Sequence, residues 1–196
     1  MGKIQGFTLF ESSYPEWPLS FLHPTGWEVR ESIKDDFVEV FIAGPRNRAD
    51  TFTTSIAVWG RAERDQTPEM LSKDHINRHR PLPSFQTLAQ ARGTLAGSEA
   101  VEVEITYKMP LPLNNVKAQM SPIRERRIFL RRGERIYELI YVAAEEDYET
   151  WLPAFQTVAR TFAFREEPAE QRFHALVTPV SAQAIREKGG EYEAEK

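Results

Sequence analysis

His75 and His79 stand four residues apart, and on a helix that spacing puts both imidazoles on one face, where they could reach a single metal ion. Two imidazoles are only two ligands, whereas zinc takes three or four. Asp74 is adjacent to His75 and faces elsewhere, and Glu69, six residues before His75, shares no obvious face with it. The expectation is therefore no metal site and no cofactor, with the histidines solvated or lightly packed. Nucleophilic catalysis is as poorly furnished. The chain has no GxSxG elbow, and His23 follows a strand signal with no evident acid partner. Zero cysteines remove a thiolate nucleophile, a disulfide, a thiolate zinc site and an iron–sulfur cluster. Without a GxGxxG or GxxxxGKS loop, a dinucleotide or phosphate cradle is unsupported. No catalytic residue is assigned.

A locally basic run holds Arg124, Arg126, Arg127, Arg131, Arg132 and Arg135. Such a run could meet phosphates, but its aromatic interleaving is limited to Phe129. The simpler reading pairs this strand antiparallel with the one that carries Glu102 and Glu104, so that opposite charges face each other across the sheet. Nucleic acid is not expected as a partner. The segment Lys108 to Ile123, KMPLPLNNVKAQMSPI, reads as a connection longer than the ~12 to 15 residues usual in a compact domain. It carries Met109, Leu111, Leu113, Val116 and Met120, more apolar side chains than a solvated loop needs. Either these fold back over the sheet as a lid, or they form an adaptable contact surface, for which Met is suited. They are the candidate partner-binding residues.

The elements that must position these groups are mostly strands. Leu19 to His23 and Trp27 to Glu31 flank Pro24-Thr25-Gly26, a hairpin or tight bend. Phe37 to Ile42 is apolar on both parities apart from Glu39, as in a strand covered on both faces, and Thr51 to Trp59 is a further strand. Thr67-Pro68-Glu69 starts a helix that runs to about Arg80, with Met70, Leu71 and Ile76 as its inward stripe. Phe85 to Leu95 is a weaker strand signal. In Ala100 to Tyr107, Val101, Val103, Ile105 and Tyr107 point one way and Glu102, Glu104 and Thr106 the other. Arg124 to Arg132 and Arg135 to Ala143 form a hairpin about Gly133-Glu134, the second strand being apolar on both faces and hence central. Asp147 to Thr161 is a second helix, whose regular part is expected from about Leu152 because of Pro153.

With 196 residues there is room for one domain, or one domain and a tail. The domain is taken as 1–165, and 166–196 as a polar appendage with one short helix over Ser181 to Lys188. A net charge of −4 gives no global attraction to phosphate or anionic lipid. No run approaches the ~18 apolar residues of a membrane span, and the start of the chain lacks a signal-peptide core of about 7 to 15 apolar residues. A cytoplasmic location and no membrane partner are the expectations.

Leu19-Ser20-Phe21 leading into His23-Pro24-Thr25-Gly26-Trp27, then Phe52 to Ile56, then Arg127-Ile128-Phe129 with Arg132 to Leu139, and finally Tyr148 to Phe155 ending in Thr161-Phe162-Ala163-Phe164 resemble the PsbP-like superfamily. That superfamily takes in DcrB-type bacterial proteins, the Eag chaperones of type VI secretion and small Ran-binding nuclear-import proteins. The resemblance covers about residues 17–165 and rests on core and turn positions. It implies an α+β fold in which a single antiparallel sheet is flanked by helices on both faces. It also implies a non-enzymatic binding or chaperone-type module, since that is what its members share. No metal-site residue of the plant photosystem proteins can be placed here. The expected function is recognition of a protein or peptide segment through an apolar surface, with a homodimer possible. The alternatives are a hydrolase-like enzyme with an unrecognised site and a photosystem-assembly type of accessory protein. An enzyme should show a deep cleft with convergent polar groups, and a binding module an exposed apolar patch.

Overall fold

Alternating apolar residues separated by short turns dominate the chain, and they form ten strands and two helices among the described residues, which in this computed structural model are 4–113 and 115–165. The 166–196 appendage and its proposed helix lie outside them. In chain order the elements are β1 (Phe7–Glu11), β2 (Leu19–Pro24), β3 (Glu28–Lys34), β4 (Phe37–Arg46), β5 (Thr53–Ala62), α1 (Pro68–His79), β6 (Gln86–Leu95), β7 (Ser98–Leu111), β8 (Gln119–Arg132), β9 (Arg135–Ala144), α2 (Glu145–Thr161) and β10 (Ala163–Phe164). The fold is α+β, with every strand pair antiparallel.

The expectation of a single sheet is corrected. Seven strands form one sheet in the order β3-β4-β5-β9-β8-β7-β6, and β1, β2 and β10 form a second, small one. The reason lies at Pro24-Thr25-Gly26: Gly26 takes φ 86°, which L side chains rarely adopt, and the chain turns there from the small sheet into the large one. The motif is thus a bend between sheets and not a hairpin. β9, apolar on both parities, is the central strand of the seven. β7 and β8 are neighbours over their whole length, from Ala100↔Leu130 to Leu111↔Gln119.

Two hydrophobic clusters follow from strand alternation. Val101, Val103, Ile105, Tyr107, Ile123 and Phe129 pack with Leu71 of α1. The opposite parity, with Ile128, Leu130, Tyr137, Leu139 and Tyr141, packs with Tyr148, Trp151, Phe155 and Val158 of α2 and with Trp17, Leu19 and Phe21 around the small sheet.

Thr67 caps α1 by accepting from the Met70 N–H at 3.2 Å, and Pro68 occupies the first turn. The inward face of α1 departs from the expected one at Met70. Met70 is half-exposed, and the buried residues are Leu71, Ser72 and His75, with Ile76 partly covered. α2 is regular from Glu145, so Pro153 lies inside the helix. Proline removes one helical N–H there and frees the carbonyl four residues back, at Glu149, which is exposed and can be hydrated.

The 108–123 segment is not a long loop either. β7 and β8 continue as a ladder through Met109↔Ser121 and Pro110↔Met120, so the connection shrinks to 112–118. Pro110 and Pro122 both stand in register within the pair.

Candidate functional site

Strand alternation in β8 separates five of the six arginines, and the sixth, Arg135, opens β9. Arg124 and Arg126 lie on the α2 side and pair diagonally with the acids of β7: Arg124 Nε donates to Glu104 Oε1 at 2.6 Å, and Arg126 Nη2 is 2.5 Å from Glu102 Oε1. The expected charge pairing across these strands is therefore present. The Arg124 guanidinium also covers the Tyr148 ring, 4.1 Å from its centroid. Arg132 and Arg135 cover Phe164 and Trp17 at 4.2 and 4.3 Å. On the other parity, Arg131 donates to the backbone carbonyls of Arg64, Gln66 and Gly133.

The same parity places Glu125 and Arg127 beneath α1, and there the molecule buries a chain of charges. Both Nε and Nη2 of Arg127 lie against Glu125 Oε1, at 2.9 and 2.8 Å, while its Nη1 donates to Glu138 Oε2 of β9 at 2.9 Å. Arg61 of β5 donates to the other Glu138 oxygen. Glu125 and Glu138 are each 3% exposed and Arg127 9%. Charges so deeply buried persist only when paired, because the desolvation of an isolated one costs several kcal/mol.

The helix completes the cluster from above. His75, 1% exposed, has Nε2 3.2 Å from Glu125 Oε1, without the alignment of a hydrogen bond. His79 Nε2 is 3.8 Å from Glu125 Oε2, its ring 4.2 Å from that of His75. The Tyr107 hydroxyl reaches the same Oε2 at 3.5 Å. The expectation of solvated or lightly packed histidines is corrected at His75, since the i, i+4 pair faces the sheet and His75 is fully buried there.

Burial alone would raise the Glu125 carboxyl, but His75 and Arg127 overcome it and hold it at about 2. His75 is lowered from its ordinary value chiefly by burial, with Glu125 opposing and Arg127 and His79 adding to the decrease. Burial, followed by the charge of Glu125, pushes the Tyr107 phenol up. At neutral pH the cluster is thus a carboxylate, a guanidinium and a neutral His75.

A cleft of about 620 Å³ opens beside this network, between α1 and the strands β5 and β9. Arg127 and Glu138 form part of its wall, with Trp59, Arg61, Asp74 and Arg78. Among the described residues no histidine or serine lines it. His23, 9% exposed, has its Nδ1 3.1 Å from the Pro24 carbonyl.

The five proposed partner-binding residues divide. Leu111 is 3% exposed and belongs to the core cluster under α1, and Met109 packs on it. Leu113, Val116 and Met120 stand out at 58%, 103% and 49%. The structure thus brings Leu111 and Met109 into the fold and presents the other three at the hairpin end. What sequence reasoning missed is Glu125. The signal was its place in the alternation with Arg127 and Phe129, but which helix covers that parity is not written in the strand.

No family model matches the chain, and no curated protein matches it. Solved structures do. Cyanobacterial PsbP (CyanoP) from Synechocystis sp. PCC 6803 superposes with a TM-score of 0.52 at 12% identity, covering 83% of this chain and 95% of that one. The fold is PsbP-like. Two further structures share the PsbP-like fold. LpqN of Mycobacterium tuberculosis, a protein involved in cell envelope biogenesis, gives a TM-score of 0.53 at 14% identity, covering 81% of this chain and 90% of its own. The Ran-binding protein MOG1P of Saccharomyces cerevisiae gives 0.51 at 11%, covering 81% of this chain and 95% of its own. At these identities the likeness concerns the fold, which supports many functions. Among the described residues no helix of this PsbP-like chain is long and apolar enough to cross a membrane.

Proposed function

We propose that the chain is a binding module that recognises an apolar segment of a protein partner with the end of the β7–β8 hairpin. The observation that carries this reading is the contrast within one short stretch: Leu111 is buried, whereas Leu113, Val116 and Met120 are 58%, 103% and 49% exposed. Buried Leu111 and partly buried Met109 anchor the hairpin to the cluster under α1, and of the exposed side chains Met120 stands on the ladder while Leu113 and Val116 lie in the short connection that closes it. Holding them so lowers the entropy cost of contact. A protein with the same fold, MOG1P, is a Ran-binding protein, which supports a protein partner as the class. A cytoplasmic location belongs to the same reading and is tested by cell fractionation.

The test is the combined change Leu113→Ser, Val116→Ser and Met120→Ser. Stability should change by no more than about 0.5 kcal/mol per site, as at exposed positions elsewhere. Proteins retained on the immobilised native chain from a native lysate, identified and then purified, should bind the triple variant at least tenfold more weakly. Unaltered affinity for the purified partner overturns the reading. If instead the native chain sediments as a dimer and the variant as a monomer, the surface joins two copies of this chain and the reading fails.

A further inference from the structure

We propose that His75 and His79 of α1 together with Glu125 of β8 form a binding site for a divalent transition-metal ion of the zinc class. The inference is independent of the hairpin surface. Two imidazoles one helical turn apart and a carboxylate from the strand beneath are a recognised donor set for zinc, with a fourth position left for water. Their ligand atoms all lie within 4.8 Å of one another, and the two contacts to the carboxylate, 3.2 Å from His75 and 3.8 Å from His79, are close to the ~3.3 Å that separates two ligands on a tetrahedral zinc with bonds of about 2.0–2.1 Å.

Three details orient these atoms toward a common point. The Nδ1 of His79 is 2.9 Å from the His75 carbonyl, which can only accept. Nδ1 therefore carries the proton and Nε2 the free lone pair, as is usual for a ligating histidine. Second, His75 Nε2 is fully buried and lies 3.2 Å from Glu125 Oε1 without the alignment of a hydrogen bond, an uncommon state for a buried polar atom. A metal ion would satisfy it. Third, Arg127 places both its nitrogens on Glu125 Oε1, leaving Oε2 with the long Tyr107 contact and facing His79 Nε2. Arg127 thereby fixes the carboxylate as outer partners of metal ligands do. Its positive charge also weakens the site: Glu125 and Glu138 are already balanced by Arg127 and Arg61, so the ion brings uncompensated charge. Binding in the micromolar range follows, tighter for ions that suit imidazole than for magnesium or calcium, which prefer all-oxygen sets.

The test uses the tag-free full chain and zinc chloride in a calorimeter near neutral pH. One-to-one binding with a dissociation constant between about 0.1 and 10 µM is expected, with magnesium giving no saturable heat. His79→Gln, on the more exposed side of the pair, should weaken zinc binding at least tenfold, and His23→Gln and His174→Gln should leave it unchanged. The native protein supplies a readout free of folding artefacts. Zinc should shift the imidazole resonances of His75 and His79 and spare that of His23, and cobalt should give the visible band of a tetrahedral site. Absence of saturable heat up to about 100 µM zinc, or binding unaltered by His79→Gln with the resonances of His75 and His79 unmoved, overturns the proposal.

Discussion

Replacing Arg127 with methionine should destabilise the fold and flatten the way its stability responds to acid. In the native chain the guanidinium sits between Glu125 and Glu138, both 3% exposed, and bonds to each. Methionine preserves much of the apolar stem and removes the charge. Glu138 then retains Arg61, but Glu125 keeps only the two histidines and a long contact to Tyr107. Breaking a buried pair in this way costs about 3–5 kcal/mol, a large share of the ~5–15 kcal/mol that holds a domain folded. With a urea dependence of about 2 kcal/mol per molar, the unfolding midpoint falls by roughly 1.5–2.5 M.

The slope of the pH response is the sharper test. In the native protein His75 titrates below its ordinary 6.5 and Glu125 at about 2 against its ordinary 4.5. On acidification below 6.5 the unfolded chain takes up a proton that the folded His75 refuses, and below 4.5 one that Glu125 refuses. Stability therefore falls as pH falls through this window, the Glu125 share amounting to roughly 3 kcal/mol by the pH at which that carboxyl titrates. In the variant the guanidinium no longer counters burial at Glu125 and no longer opposes protonation of His75, so the folded cluster takes up a proton more readily than the native one. Stability therefore falls less steeply with acid between neutral pH and about 5 than in the native chain. Urea unfolding followed by the fluorescence of the four tryptophans, repeated between about pH 5 and 8, measures both effects. A midpoint lowered by less than about 0.5 M, or a variant that loses stability with acid in parallel with the native chain, refutes the reasoning.

Leu111→Ala should cost about 2–5 kcal/mol, because it empties a core position, whereas Leu113→Ala two residues on should cost under about 0.5 kcal/mol; equal thermal midpoints for the two would contradict the division of the hairpin. Gly60→Ala should cost about 1–3 kcal/mol by overpacking, since its Cβ would come within 2.7 Å of the Trp17 ring and 2.9 Å of Val38 Cγ1. Gly93→Ala in the edge strand β6 meets nothing within 4 Å and should leave the urea midpoint unchanged or slightly higher.

Local chemistry was legible in the sequence, and its limits show where the structure took over. The Thr67-Pro68 start of α1, the β8–β9 hairpin about Gly133 and the central place of β9 all follow from short-range rules: a cap that satisfies free N–H groups, a glycine at φ 60°, and a strand apolar on both parities because it is covered on both faces. The pairing of β7 with β8 was readable as well, because like charges on each strand demand opposite charges beside them. The ladder through Pro110 and Pro122 was not readable, since whether proline fits an antiparallel pair depends on which of its neighbours the missing N–H would have faced. The division into two sheets was not readable, because a Pro-Thr-Gly bend looks the same whether the chain returns to its own sheet or departs for another. Nor was the cluster of His75, His79 and Glu125. The helical period brings the two histidines to one face, and the strand period brings Glu125 and Arg127 to one face. Only the docking of α1 on β7 and β8 decides that these two faces meet, because that contact depends on the summed shape of both surfaces and not on any residue within either.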